Sequence, residues 1–361
     1  MARKLKYFVN GEWAETKSGQ YMPCYNPSTG EVIAEAPKCT VEEVNAAVEA
    51  AAAAYPAWRD TPITKRVQVM FKLKELLDKH LDELAKLLAT EMGKNLNEAR
   101  GDVLKAIECT EMACSVPVQM AGYSLNNVST GFDTVANRQP LGVFVGIAPF
   151  NFPAMIPMGW MAPMAVACGN TYVLKAASMD PQTAMRMAEI WAEAGVPKGV
   201  FNLVTCSRNE AEILLKHPAV KGITFVGSTK IGLHVYSTAA AAGKRVQSLT
   251  EAKNHALILR DAPIAATAQR IVNSAFGCAG QRCMALPALC IEEPIADELV
   301  AEIVALARKL KMGPAWEPAT DLGPLVSADQ KKWVLDWIEK GVKEGARSEE
   351  HTSELQSRQV I

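Results

Sequence analysis

Short apolar runs alternate with helical patterns through the middle of the chain. The predicted strands are Val143–Ala148, Thr171–Leu174, Val200–Val204, Gly222–Val226 and Val246–Leu249. Such alternation favours a doubly wound α/β fold with a parallel sheet, because parallel strands need a crossover helix between them. Sheets of this kind bind ligands at the carboxyl ends of their strands. The pattern therefore predicts a ligand-binding domain with its site at that edge.

Other elements flank this sheet. Asn10-Gly11 is typical of a hairpin turn, and Thr40 with Glu43 forms a capping box before a helix over Val44–Ala54. Further helices are predicted at Lys65–Leu88, Asn95–Met112 and Ala296–Leu310, and further strands at Ala256–Leu259 and Ala285–Ile291. The polar stretch 123–139 indicates an excursion away from the core. The uncharged run 139–171 is long enough to suggest a membrane span, but four prolines in its interior, at 149, 153, 157 and 163, predict a buried strand, a turn and a short helix instead.

Composition narrows the class of protein. The chain has 361 residues, 49% of them hydrophobic, and a net charge of -1, which predicts a soluble protein of about two domains. That charge gives no basis for binding nucleic acid or a membrane, so a small-molecule substrate is expected. The nine cysteines form no CxxC pair and the histidines no HExxH motif, so no metal site is predicted. Without the apolar core of a signal peptide near the start, we expect a cytoplasmic protein.

One cysteine stands out as a candidate nucleophile. Cys283 ends the run Gly277-Cys278-Ala279-Gly280-Gln281-Arg282-Cys283. Glycines allow a substrate to approach the backbone closely, and a neighbouring guanidinium favours the thiolate. The alternative is a buried, inert cysteine, which is the common state of a free cysteine.

Two further motifs suit the oxidation of a carbonyl group. Asn151 follows a strand, where its amide could stabilise an oxyanion or only cap the next helix. The segment 225–229, Phe-Val-Gly-Ser-Thr, could seat a pyrophosphate at a helix N-terminus or be a simple strand-to-helix turn. Lys175 could bond a cofactor ribose or be an exposed strand-end lysine. Together with a thiol, these groups indicate oxidation through a covalent thiohemiacetal.

These motifs resemble the aldehyde dehydrogenase family. The matching segments are 148–157 (APFNFPAMIP), 225–228 (FVGS), 244–247 (KRVQ), 252–255 (AKNH), 280–286 (GQRCMAL) and 322–325 (LGPL). The resemblance is strongest to the CoA-acylating methylmalonate semialdehyde dehydrogenases. It implies that Cys283 is the nucleophile and that Asn151 forms the oxyanion hole with the backbone N–H of Cys283. By the same resemblance, the cofactor-binding residues are Ala148, Phe150, Lys175, Ser178, Gly227 and Ser228.

The resemblance also implies the second half of the reaction. Hydrolytic members carry a glutamate four residues before Lys253, where this chain has Leu249, which cannot act as a base. The expected acyl acceptor is therefore coenzyme A, and the expected substrate is malonate or methylmalonate semialdehyde. The alternatives are a hydrolytic enzyme with Glu251 as base, or an inactive nucleotide-binding fragment. NAD is the expected cofactor, and Ser178 in place of the family's usual glutamate leaves NADP as an alternative.

Two cations are candidates for binding the substrate or CoA. Lys105 stands where the acylating enzymes tend to have an arginine for the substrate carboxylate, and a lysine offers only a point charge there. Arg282 is the other candidate, and its alternative role is a structural ion pair within the loop.

The resemblance divides the chain into segments. Residues 1–121 and 141–252 form the expected nucleotide-binding domain, 122–140 an oligomerisation arm, and 253–346 a truncated catalytic domain. Residues 347–361 resemble translated sequencing adapter and are expected to be a non-native or disordered tail. The family's later Glu-Ile-Phe-Gly-Pro segment and its final strand are expected to lie beyond this chain. We expect the intact parent protein to be a homo-oligomer.

Overall fold

The computed structural model describes residues 2–346. The strands are β1 (Arg3–Lys4), β2 (Tyr7–Val9), β3 (Glu12–Ala14), β4 (Tyr21–Tyr25), β5 (Val32–Pro37), β6 (Tyr123–Ser129), β7 (Phe132–Ala136), β8 (Val143–Ile147), β9 (Thr171–Lys175), β10 (Phe201–Val204), β11 (Val220–Val226), β12 (Arg245–Leu249), β13 (His255–Ile258) and β14 (Ala288–Ile291). The helices are α1 (Val41–Asp60), α2 (Ile63–Lys79), α3 (Leu81–Met92), α4 (Leu96–Cys114), α5 (Val116–Gln119), α6 (Ala162–Ala167), α7 (Gln182–Glu193), α8 (Arg208–Lys216), α9 (Thr229–Ala241), α10 (Ile264–Phe276), α11 (Glu293–Ala307) and α12 (Ala328–Lys343). The predicted tail, 347–361, lies outside the described residues.

The described chain forms two compact units. Within the described residues, the first unit comprises 2–24, Ala34–Leu84 and Asp102–Thr250, and the second comprises Tyr25–Ile33, Ala85–Gly101 and 251–346. The sequence pattern does not predict that two segments from the first third of the chain belong to the second unit.

A seven-stranded sheet organises the first unit. Its order is β12-β11-β8-β9-β10-β2-β3, and the five strands from β12 to β10 are parallel. The strands β2 and β3 extend it in antiparallel fashion beyond β10. Tyr172, Val173, Leu174 and Leu203 have no exposed surface, as expected for a sheet covered on both faces. The predicted doubly wound parallel sheet is confirmed.

The uncharged run predicted to be a strand, a turn and a helix has this structure. The strand β8 leads through a turn into a π-helix over Ile156–Met161, which continues directly as α6. A methyl group at Gly159 would lie 2.8 Å from the Cα of Ala106, so the π-helical turn packs tightly on α4. Within residues 2–346, no helix has both the length and the apolarity needed to cross a bilayer.

Several predicted element boundaries are wrong. The predicted helix Lys65–Leu88 is in fact two helices. The first, α2, ends before His80, whose N–H donates to the carbonyl of Leu76, and α3 begins at Leu81. The predicted helix Ala296–Leu310 begins earlier, at Glu293, with Pro294 in its first turn, where proline needs no N–H partner. The strand predicted from Ala285 begins only at Ala288.

The polar stretch after α5 is an exposed hairpin of β6 and β7. Tyr123, Leu125, Phe132 and Val135 each expose more than half of their surface. The predicted excursion from the core is confirmed, and its role as an oligomerisation arm stays a prediction.

Candidate active site

The carboxyl edge of the first unit's sheet collects several of the predicted cofactor residues. Ala148 follows β8, and its N–H donates to the carbonyl of Lys175, the last residue of β9, at 3.1 Å. Phe150 and Asn151 lie half-buried in the turn directly beyond. The predicted positions of Ala148 and Lys175 at one edge of the sheet are thereby found in the structure.

Lys175 is not the exposed strand-end lysine considered as its alternative. Burial lowers the pKa of its ammonium group, while Cys206 and Asp180 oppose that shift. Nearby, the hydroxyl of Ser178 is buried and has no hydrogen-bond partner among residues 2–346. A buried hydroxyl without a partner is costly, so a polar ligand at this edge would satisfy it.

The predicted pyrophosphate seat is a tight turn between β11 and α9. The N–H of Gly227 donates to the carbonyl of Leu249 at 3.1 Å, and a methyl group at Gly227 would lie 2.5 Å from Cζ of Phe225. Ser228 is exposed at the N-cap position, and its side chain makes no capping hydrogen bond. The alternative, a simple strand-to-helix turn, would be expected to have a side-chain cap, and the Ser228 hydroxyl does not form one with α9.

A pocket of about 330 Å³ opens in the first unit beside the π-helix. Its lining is mostly apolar and is formed by Cys109, Met112, Gly159, Trp160, Met161, Met164, Thr224, Val226, Gln247 and Leu249. Burial raises the pKa of the Cys109 thiol, which Lys105 and a hydrogen bond from Trp160 partly offset. Leu249, at the position where we expect the glutamate of hydrolytic enzymes, is thus part of an uncharged wall.

Lys105 lies one helical turn before Cys109 on α4. It is exposed and paired with Glu108, whose hydrogen bond raises the pKa of the lysine. A lysine that is already paired with a carboxylate binds a substrate carboxylate more weakly than an unpaired lysine does. The proposed substrate contact of Lys105 stays a prediction.

In the second unit, Cys283 follows a loop of unusual backbone geometry. Cys278, Ala279 and Gly280 all have left-handed φ angles, of 53°, 51° and 75°. Cys278 is buried, and its thiol lies 3.8 Å from the sulfur of Met92. Cys283 itself is half-buried in the next turn, and its carbonyl accepts a hydrogen bond from Asn254 Nδ2 at 2.8 Å. Of the two neighbouring cysteines, Cys278 is the buried one.

Glu98 holds the part of the loop that precedes Cys283. Its two carboxylate oxygens lie 2.9 and 3.1 Å from the backbone nitrogen of Cys278, and Oε1 lies 2.6 Å from Nη2 of Arg282. Burial raises the pKa of Glu98, against the lowering effects of Arg282, the Cys278 N–H and Lys94. The structural ion pair considered as the alternative for Arg282 is present, and a substrate or CoA contact of Arg282 stays a prediction.

Two further amides restrain the same loop. Asn254 Nδ2 donates to the carbonyls of Cys283 and Ala285, at 2.8 and 2.7 Å. The side chain of Gln281 donates to the carbonyl of Cys278 at 3.1 Å and accepts the N–H of Val326 at 3.1 Å. Cys283 therefore lies between one set of polar contacts from Glu98 and another from Asn254.

Sequence reasoning assigned no role to Glu98 or Asn254. A weak signal existed for Glu98, because Asn95 followed by Glu98 is the spacing of a capping box. Asn95 does cap α4 by accepting the N–H of Glu98 at 2.9 Å, and Glu98 accepts the backbone N–H of Asn95 in return. The second role of Glu98 depends on contacts far apart in sequence, which spacing alone does not reveal.

Comparison with known proteins identifies the family. The sequence model of the aldehyde dehydrogenase family matches residues 13–358. The chain therefore belongs to the aldehyde dehydrogenase family, and it has the aldehyde dehydrogenase fold.

Particular relatives narrow the comparison. The chain is 46% identical over 342 residues to malonate-semialdehyde dehydrogenase 2 of Geobacillus kaustophilus, covering 95% of this chain and 70% of that protein. It is similar in structure to methylmalonate-semialdehyde dehydrogenase of Oceanimonas doudoroffii, with a TM-score of 0.92, 38% identity, and coverage of 96% and 71% of the two chains. It also matches an NAD⁺ complex of an aldehyde dehydrogenase from Bacillus cereus, with a TM-score of 0.91, 30% identity and the same coverages.

Proposed function

We propose that the protein oxidises a short semialdehyde, such as malonate or methylmalonate semialdehyde, through a thioester on Cys283 and transfers the acyl group to coenzyme A. The observation that carries this proposal is the restrained, half-buried position of Cys283 between Glu98 and Asn254. A nucleophile must be held close to its attack geometry, since small displacements slow the reaction strongly. The semialdehyde names of the relatives support the substrate class.

The nucleophile performs the first proposed step. The Cys283 thiolate adds to the aldehyde carbon, and the carbonyl electron pair moves to the oxygen. The backbone N–H of Cys283 and the amide of Asn151 are the proposed donors to this oxyanion. When hydride leaves the same carbon, the carbonyl re-forms as a thioester with Cys283.

NAD is the proposed hydride acceptor, with NADP as the alternative. The residues proposed to hold it are Lys175, Ser178, Gly227 and Ser228. The partnerless Ser178 hydroxyl, the close turn at Gly227 and the uncapped Ser228 side chain fit a polar ligand at this edge. Bound there, the nicotinamide would supply the acceptor for the hydride.

Release of the acyl group is proposed to require coenzyme A. Leu249 offers no carboxylate to activate water, and the pocket wall around it is uncharged. The CoA thiolate attacks the thioester carbon, and the Cys283 thiolate leaves. With malonate or methylmalonate semialdehyde, the acyl group loses CO₂ and takes up a proton from solvent at the same carbon, which gives a shorter acyl-CoA.

Rapid-mixing kinetics with product analysis tests this proposal. The purified chain, malonate semialdehyde and NAD are expected to give a burst of NADH and a mass adduct on Cys283, with continued turnover only after CoA is added. Cys290→Ser, which removes an exposed cysteine of the same unit, serves as the matched control. Full turnover to free acid without CoA would favour the hydrolytic alternative with Glu251 as base. A chain that forms neither adduct nor NADH would favour the nucleotide-binding fragment.

A further inference from the structure

The carboxylate of Glu98 meets both ends of the loop segment that precedes Cys283. At the near end, it accepts the N–H of Cys278 with both oxygens. At the far end, it pairs with Arg282 at 2.6 Å. The side chains of Glu98 and Arg282 expose only 17% and 23% of their surface, so solvent screens this pair less than a surface pair.

The segment between these contacts needs external support. Cys278 and Ala279 carry a Cβ and nevertheless have left-handed φ angles, which L-residues adopt at a cost. Such a conformation persists only where the surrounding structure enforces it. The two hydrogen bonds to Glu98 fix the first of these residues, and Gln281 fixes its carbonyl.

The Arg282 contact fixes the other end by shape as well as by charge. A methyl group at Gly277 would lie 2.5 to 2.7 Å from the guanidinium of Arg282, so the guanidinium packs directly against the glycine backbone. Because Arg282 immediately precedes Cys283, the position of Arg282 also fixes the position of the Cys283 backbone.

We propose that Glu98 is a positioning residue for Cys283, because its carboxylate holds the left-handed turn at Cys278 and the guanidinium of Arg282 together. This inference rests on the proposed role of Cys283 as the nucleophile. Glu98 itself contacts no reacting atom in this proposal and acts through the backbone of the loop. Its contacts with Cys278 and Arg282 restrain the backbone of the loop 277–283.

Site-resolved alkylation of the full chain tests the restraint without any substrate. In Glu98→Gln, which keeps the shape but removes the charge, we expect iodoacetamide to modify Cys278 at least about 10-fold faster than in wild type, since opening of the turn exposes the thiol. Cys39 and Cys206, buried in the other unit, should stay protected. Glu292→Gln is the matched control, because it breaks an exposed ion pair with Arg260 in the same unit.

The NADH burst tests the link to the nucleophile. We expect Glu98→Gln to slow the burst at least about 10-fold, with the half-saturating NAD concentration changed less than about twofold, because positioning affects the chemical step more than cofactor binding. Glu98→Asp, which retains the charge on a shorter side chain, should lie between Glu98→Gln and wild type.

Three results would overturn the inference. One is a Cys278 alkylation rate unchanged in Glu98→Gln. Another is equal deprotection of Cys39 and Cys206, which would make Glu98 a contact for global stability. The third is an NADH burst rate that is unchanged in Glu98→Gln although iodoacetamide modifies Cys278 faster in that variant. A wild-type chain that forms no adduct on Cys283 would instead defeat the proposed function, and the alkylation pattern of Cys278 would still report on the restraint.

Discussion

The two units differ in what holds their functional parts in place. In the first unit, the sheet is packed with large apolar groups: the rings of Trp191 and Phe201 lie 4.7 Å apart, and Tyr172 stacks on Phe201 at 6.4 Å. In the second unit, the two-stranded sheet is open, and Leu257 on β13 exposes 78% of its surface. The loop 277–283 of that unit, which carries the proposed nucleophile, is held by polar contacts instead.

This difference bears on how each part tolerates change. An apolar core is built from many small contacts, so the loss of one leaves most of the others in place. A left-handed loop held by one carboxylate and two amides has few contacts, and each of them is directional. The edge of the first unit's sheet is therefore expected to be robust and the Cys283 loop to be sensitive.

The largest expected effect separates the two cysteines of the loop. Cys283→Ser should reduce the NADH burst by roughly 10⁴-fold or more, because a serine hydroxyl without an activating base is a poor nucleophile. Cys278→Ser should retain the burst within about 10-fold, since Cys278 is buried and has only a packing role in this proposal. Stopped-flow NADH fluorescence measures both. Equal losses in the two variants would contradict the assignment of the nucleophile.

A matched pair of leucines compares the two cores. Leu203 on β10 and Leu299 on α11 both have no exposed surface. Leu203→Ala should lower the free energy of unfolding by about 4 kcal/mol and Leu299→Ala by about 3 kcal/mol, because the smaller core of the second unit can relax around the cavity. Urea unfolding followed by hydrogen exchange in each unit provides the values. A larger loss for Leu299→Ala would reverse the comparison.

Two glycines test the close approaches in each unit. Gly227→Ala would place a methyl group against Phe225, and Gly277→Ala would place one against the guanidinium of Arg282. We expect Gly227→Ala to weaken NAD binding about 10-fold through a shifted turn, and Gly277→Ala to slow the burst about 10-fold with NAD binding retained. Isothermal titration and burst kinetics distinguish the two effects. Exchanged phenotypes would contradict the assignment of cofactor and nucleophile to these turns.

The same contrast explains which parts of the molecule the sequence predicts. The strands β8 to β11 are predicted to within a few residues, because buried parallel strands are nearly continuous apolar runs. The break of the predicted helix at His80 is missed, because no proline or glycine marks it. The late start of β14 is missed for another reason. The side chain of Asn254 donates a hydrogen bond to the carbonyl of Ala285, so the backbone at Ala285 belongs to the loop after Cys283 and not to the strand.

The candidate site is predicted only in part. Short motifs that are recognisable in the sequence surround three positions of the candidate site: Cys283, Asn151 and the turn at Gly227. Glu98 contacts Cys278 and Arg282 across 180 and 184 positions of sequence, and no local spacing encodes such a contact. Residues that restrain a site from a distance therefore need the structure to be found.

The smallest expected effect concerns exposed ion pairs on the surface of the first unit, in contrast to the half-buried pair of Glu98 and Arg282 in the second unit. Hydrogen bonds from Arg186 and then His80 lower the pKa of Glu83 from 4.5 to about 2. A carboxylate with a lowered folded-state pKa stabilises the fold above its ordinary pKa, and that contribution is lost as the pH falls from 4.5 towards 2.

Glu83→Gln should therefore lower the free energy of unfolding by less than about 1 kcal/mol near neutral pH, because the side chain is 48% exposed and solvent screens the pair. The difference between variant and wild type should shrink as the pH approaches 2 and as salt is added. Urea unfolding at about pH 6 and about pH 3 measures it. If the difference grew on acidification, the Arg186 contact would not be what stabilises the Glu83 carboxylate.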